Sequence, residues 1–141
     1  MEKIIIYTDG GARGNPGPAG IGVVIQEEGG KILKEISEYI GEATNNVAEY
    51  HALIRALGEA SELFKDKTLE MDFEVRMDSE LVVRQMQGLY KVKEPTLKAK
   101  FAMVAEMRLE DFPNLTFTHV RREKNVRADE LVNEAIDKAG K

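Results

Sequence analysis

The sequence predicts a single α/β domain over residues 1–141, with three strands first and two more alternating with helices. Three observations carry this. Residues 1–41 hold three apolar, β-branched runs separated by short glycine-rich turns, the pattern of an antiparallel meander. From Ala43 the apolar period changes from that of a strand to that of a helix. Beyond Phe64, short β-type runs alternate with helical segments, and no internal repeat, low-complexity stretch or linker separates them.

The chain is organised around Lys3 to Gly22, KIIIYTDGGARGNPGPAGIG. Ile4-Ile5-Ile6-Tyr7 favours a strand, which Gly10-Gly11 should stop, leaving Asp9 at its carboxyl end. Open α/β sheets place their chemistry at such ends. Ala19 to Gln26, AGIGVVIQ, reads as a second strand. That excludes a phosphate loop or a dinucleotide fingerprint, both of which open a helix at this point. Glu27 to Gly30 is a turn, and Lys31 to Gly41 a third strand with Ile32, Ile36 and Ile40 on one face.

Ala43 to Phe64 is a helix, with Val47, Tyr50, Ile54 and Leu57 at helical spacing. Asn46 is placed to cap it, with Glu49 three residues on as in a capping box. Yet the stripe that Glu49 heads continues through Ala52, Leu53 and Ala56, and a carboxylate on an inward stripe needs a partner or a metal. Phe73 to Met77 is the fourth strand, followed by Asp78-Ser79 and a helix of about three turns that Gly88 should stop. Pro95 opens a helix to Leu109 with Leu97, Phe101, Val104 and Leu109 on its packed face. Leu115 to Val120 is the fifth strand, and Asn125 caps the last helix, NVRADELVNEAIDKAG.

Composition narrows the classes. Charged residues at 32% and hydrophobic residues at 43% fit a globular chain long enough to bury a core. The absence of cysteine excludes disulfides and thiolate chemistry. No apolar run is long enough to span a bilayer, and MEKIII runs straight into a strand without a signal-peptide pattern, so a cytoplasmic protein with no membrane partner is expected. The net charge of −5 runs against nucleic-acid binding, which usually goes with a basic domain, but local clusters override a total. Arg84, Lys91, Lys93, Lys98 and Lys100 form such a cluster.

Asp9, Glu49, Asp78 and Asp129 each have an ordinary explanation in turn or cap chemistry. Together they lie at strand ends and helix starts, which converge on one edge of a layered sheet. Carboxylates gathered there repel, and their pKa values rise unless a positive group sits among them. Hard divalent cations bind such oxygen sets, and a pair of ions clamps an in-line phosphoryl displacement.

Four stretches carry a resemblance: YTDGGARGNPGPAGIGVVI around Asp9, TNNVAEYHALIRAL around Glu49, RMDSELVVRQM around Asp78, and HVRREKNVRADELVN around Asp129. In this order and on these elements, the chain resembles type 1 ribonuclease H over nearly its whole length. The resemblance implies the ribonuclease H-like fold, a mixed five-stranded sheet flanked by helices. It implies hydrolysis of the RNA strand of RNA–DNA hybrids to 5′-phosphate and 3′-hydroxyl ends, with two Mg2+ or Mn2+ ions held by Asp9, Glu49, Asp78 and Asp129 when substrate is bound. Asp9 would bridge both ions, Asp129 would help hold the one that activates water, and Glu49 and Asp78 the one at the leaving oxygen. The backbone of Gly10, Gly11 and Ala12, together with Glu49, would read the 2′-hydroxyl. Asn15, Asn45 and Asn46 match hybrid-contacting asparagines, and Thr44 a threonine at a DNA phosphate. A monomer is expected.

The chain also departs from well-studied members. The segment Arg121 to Lys124 lacks the loop histidine of those members, so that either Glu123 or Lys124 substitutes weakly or nothing does, and His51 and His119 read as structural. Gly88 to Glu94 is too short for the family's basic protrusion. Glu80 stands where relatives often have glutamine. This short form resembles the archaeal-type subgroup, some members of which also cut RNA–RNA duplexes.

Overall fold

The structure is a computed structural model that describes residues 2–140. Its centre is one five-stranded sheet in the order β3-β2-β1-β4-β5. Strands β1 (Lys3–Ala12), β2 (Gly17–Glu27) and β3 (Ile32–Ala43) form the antiparallel meander. Strands β4 (Asp72–Met77) and β5 (Leu115–His119) join β1 in parallel. Helix α1 (Asn45–Phe64) packs on one face beside α3 (Pro95–Asp111), and α4 (Val126–Ala139) packs on the other against β1, β2 and β3. The short α2 (Glu80–Met86) follows β4.

The main core lies between the sheet and α1, where Ile4, Ile6, Val23, Ile25, Phe73 and Val75 meet Tyr50, Leu53 and Leu57. Period-two alternation explains why β1 supplies Ile4 and Ile6 there and sends Ile5, Tyr7 and Asp9 to the opposite face. No helix is long and apolar enough to cross a membrane among the described residues.

Several local expectations are corrected. Gly10 and Gly11 do not stop β1; they pair with Ile21 and Gly20 inside the ladder. Ile32, Ile36 and Ile40 do not share a face, because β3 has irregularities opposite Ala19/Gly20 and Ile25/Gln26. Each extra residue reverses the alternation. Ile36 is therefore buried while Ile32 is 52% exposed, and Leu33 packs on the core instead.

The capping box fails too. Thr44, not Asn46, caps α1, its Oγ1 accepting from Val47 N at 3.3 Å. The cap thus lies two residues before the one expected, and Asn45 in the first turn turns its side chain to the β1–β2 loop. Ser79 rather than Asp78 caps α2, which ends at Met86, about one turn short. Leu109 is 86% exposed and off the packed face of α3. Its neighbour Arg108 turns inward instead, donating to Met86 O and Leu115 O and lying over the Phe117 ring.

Candidate active site

Asp9 and Asp78 come from neighbouring strands. β1 and β4 run parallel with Thr8 opposite Met77, so the next residue along each strand is one of the two aspartates. Asp9 faces Gly22 across the β1–β2 ladder. With no side chain at Gly22, α4 lies so close that an added methyl would overlap the Ala128 carbonyl. The residue after Ala128 is Asp129. Gly10 plays the same part on the other face, where a methyl would overlap the Ala48 carbonyl. The residue after Ala48 is Glu49. Two bare positions at one end of the sheet thus let two helix backbones in, each directly before a carboxylate.

All four carboxylates line one cavity of about 370 Å3, together with Gly10, Gly11, Ala12 and Asn45. Its electrostatics are unusual for acids. Burial pushes the Asp9 carboxyl up to about 8, reinforced by the charges of Asp78 and Asp129, the hydrogen bond to Asp129 and the Glu49 charge. Burial raises Glu49 to about 7, with the Ser79 hydroxyl pulling down and the Asp78 charge pushing up. Asp78 is also raised by burial, against the Arg122 guanidinium that favours its charged form.

Glu49 Oε2 is buried with no hydrogen-bond partner. Among the described residues, no three acidic or histidine side chains close into a cage for one ion. The oxygens are adjacent but open, an arrangement that leaves room for substrate oxygens to complete a coordination sphere. An all-carboxylate donor set with an orphaned buried oxygen fits a hard divalent cation.

The remaining expected residues divide. Asn45 Oδ1 accepts from Ala12 N, and Asn15 Oδ1 accepts from Asn45 N, each at 2.9 Å. Asn15 therefore stands behind Asn45 and does not itself line the cavity. Thr44 is occupied as the α1 cap. Asn46 and the exposed Glu80 also lie outside the cavity lining.

Four residues were not anticipated. Arg122, not Glu123 or Lys124, reaches the site from the β5–α4 connection, its Nε 3.9 Å from Asp78 Oδ2. A cationic loop beside an acidic cluster was the available signal. Arg13 pairs with Asp137 at 2.7 Å and donates to Asn133 Oδ1, tying the β1–β2 loop to α4. Asn133 lines the cavity as well. Asn125 is almost fully buried and donates to Thr8 O rather than capping α4. Neither His51 nor His119 lines the cavity.

Comparison with known proteins agrees with this geometry. A family model described as reverse transcriptase-like matches residues 7–135. Ribonuclease HI of Halobacterium salinarum is 44% identical over 137 residues, covering 97% of this chain and 66% of that protein. A bifunctional protein of Mycobacterium tuberculosis is also 44% identical over 97% of this chain, which covers 36% of its length. The chain thus spans about a third to two thirds of these curated relatives.

Among solved structures, LC11-RNase H1, isolated from compost by a metagenomic approach, is 71% identical with a TM-score of 0.95, and all of both chains is covered. A second structure of LC11-RNase H1, in complex with an RNA/DNA hybrid, is 70% identical with the same TM-score, over 98% of this chain and 99% of that one. Sheet order and these likenesses along the chain's length agree: the protein belongs to the type 1 ribonuclease H family.

Proposed function

We propose that this chain, acting as a single monomeric domain in the cytoplasm, hydrolyses the RNA strand of RNA–DNA hybrids to 5′-phosphate and 3′-hydroxyl ends. The observation that carries this is the gathering of Asp9, Glu49, Asp78 and Asp129 in one cavity at the carboxyl end of β1 and β4. Support comes from the hybrid seen bound to the 70%-identical LC11-RNase H1.

Two Mg2+ or Mn2+ ions would be held here, Asp9 contributing to both, Asp129 to one of them, and Glu49 with Asp78 to the other. Bound there with substrate, such a pair supplies charge stabilisation for the attacking and leaving oxygens of an in-line displacement. The protein's own contribution is position and dielectric. Burial raises the carboxylates' energy when they are empty, and the open side of the cavity admits the phosphodiester.

Choosing RNA requires contact with the 2′-hydroxyl. The backbone of Gly10, Gly11 and Ala12 lines the cavity with Glu49 and would make it. Asn45 and Asn15 commit their Oδ1 atoms to the loop, which leaves their amide N–H groups to donate to minor-groove base acceptors. Thr44 and Asn46 would follow at the start of α1, with Glu80 beside the RNA strand. Exposed Lys91, Lys93 and Lys98 suit the DNA phosphates. Their connection is pinned from beneath by a buried chain, Tyr50 OH donating to Gln85 Oε1 at 2.6 Å and Gln85 Nε2 reaching Lys91 O at 3.4 Å.

A catalytically silent binding module is the competing reading. It gives no reason to keep four acids where phosphates must approach. The test is to offer end-labelled RNA–DNA, RNA–RNA and DNA–DNA duplexes of one sequence with and without Mg2+. Cleavage confined to RNA strands, dependent on the ion and strongest in the hybrid, is expected. Equal cutting of the DNA duplex, or tight hybrid binding with no cleavage, would refute the proposal; cutting of the RNA duplex as well would widen the substrate class.

A further inference from the structure

Asn125 stands at the N-cap of α4 yet makes no capping hydrogen bond. An asparagine cap contributes on the order of 1 kcal/mol, so the side chain is forgoing a favourable local role. It is 1% exposed, and burying an amide is costly unless it is well bonded. Its Nδ2 donates to Thr8 O at 2.9 Å, on the residue immediately before Asp9. The same amide favours the charged form of the Asp78 carboxylate. Its backbone carbonyl accepts from Asp129 N at 3.2 Å. Its Oδ1 has no partner, so the donor end of the side chain does the bonding.

We propose that Asn125 is a positioning residue for the carboxylate cluster, its side-chain amide holding the strand that carries Asp9 and its backbone carbonyl the start of the helix that carries Asp129. The chemistry selects this residue type. The side-chain NH2 donates to Thr8 O, which neither an aspartate nor a hydrocarbon side chain at this position could do. Aspartate would face Asp78 with a like charge, and serine is too short to span the gap. Partners that orient metal ligands in this way typically change metal affinity tenfold to a hundredfold when removed.

This inference rests on the function proposed above, and the experiment separates the two. Asn125→Ala and Asn125→Ser are compared with the wild type by Mn2+ titration calorimetry without substrate, by kcat and KM on the hybrid across Mn2+ concentration, and by melting temperature. Serine is a favoured N-cap, so Asn125→Ser keeps the start of α4 even if Asn125→Ala fails to fold.

Both variants should bind Mn2+ about tenfold more weakly and lose about tenfold in kcat at limiting metal, with KM for the hybrid unchanged and kcat largely restored at high Mn2+. If Asn125→Ser matches the wild type in Mn2+ affinity and kcat, the residue is only a cap and the proposal falls. It also falls if activity is lost only in proportion to the unfolded fraction. Should the wild type itself bind no Mn2+ and cut no hybrid, the functional reading fails first and this inference with it.

Discussion

Asp9→Asn should reduce hybrid cleavage at least about a thousandfold, the scale of losing a preorganised charge at a reacting centre. The same substitution should make the metal-free protein more stable. The two effects have one cause. Asp9 is half-buried at the end of β1, with Asp78 beside it, Asp129 approaching from α4 on one face and Glu49 from α1 on the other, and its carboxyl is pushed up to about 8. Its charged form is therefore a liability to the fold until a cation is present.

In the folded state both Asp9 and Glu49 hold their protons to higher pH than in the unfolded chain. Their favourable contribution is complete below the ordinary carboxylate range and is lost as pH rises through about 7 for Glu49 and about 8 for Asp9. Denaturant unfolding in EDTA should therefore show stability falling between pH 4 and 8. Asp9→Asn should flatten that slope and be more stable at pH 8 by a few kcal/mol, since a tenfold difference in proton affinity between folded and unfolded chains corresponds to about 1.4 kcal/mol. A variant that keeps normal turnover would exclude the proposed chemistry, and one that is less stable at pH 8 would exclude the electrostatic account of the empty site.

Gly10→Ala and Gly22→Ala should each destabilise the protein by about 3 kcal/mol or more, the upper range for forcing a methyl into packed surroundings. Each should also lower kcat of the remaining folded enzyme. The obstacle is backbone: the Ala48 carbonyl for Gly10 and the Ala128 carbonyl for Gly22, and neither can swing aside as a side-chain tip would. Relief requires a shift of α1 or α4, and these helices carry Glu49 and Asp129 one residue further on. Gly29→Ala is the control, since nothing lies within 4 Å of an added Cβ there; it should change stability by no more than about 0.5 kcal/mol. Thermal unfolding with matched kinetics decides the matter. Unchanged melting temperature in Gly10→Ala or Gly22→Ala would mean the helices are not held as close as described.

These glycines show where sequence reasoning stopped. Asp9-Gly10-Gly11 has the local signature of a turn, and the glycines are in fact strand residues whose bareness serves helices distant in the chain. Nothing local distinguishes the two uses. The order of elements and the packed face of α1 were legible, because helical periodicity is a local property. The phase of β3 was not, because one extra residue in a strand reverses every side chain beyond it without altering composition.

At the site, the four acids could be picked out by residue type and position. Arg122 and Asn125 could not, since each acts through an acid that tertiary structure alone brings near. Asn125 in particular reads as a cap in sequence and behaves as a strut in space. Leu109 failed for a related reason: Arg108 bonds two carbonyls and covers an aromatic ring, so a charged residue occupies the inward position that hydropathy gave to leucine.

The most direct measurement is the anomalous diffraction of Mn2+ in crystals grown with a non-cleavable hybrid. The account predicts two peaks at the carboxyl end of β1 and β4, each about 2.0–2.2 Å from carboxylate oxygens, with Asp9 touching both and a scissile phosphate oxygen completing the set. A bound hybrid whose phosphate lies at this cavity, with no manganese in contact with Asp9, would contradict it.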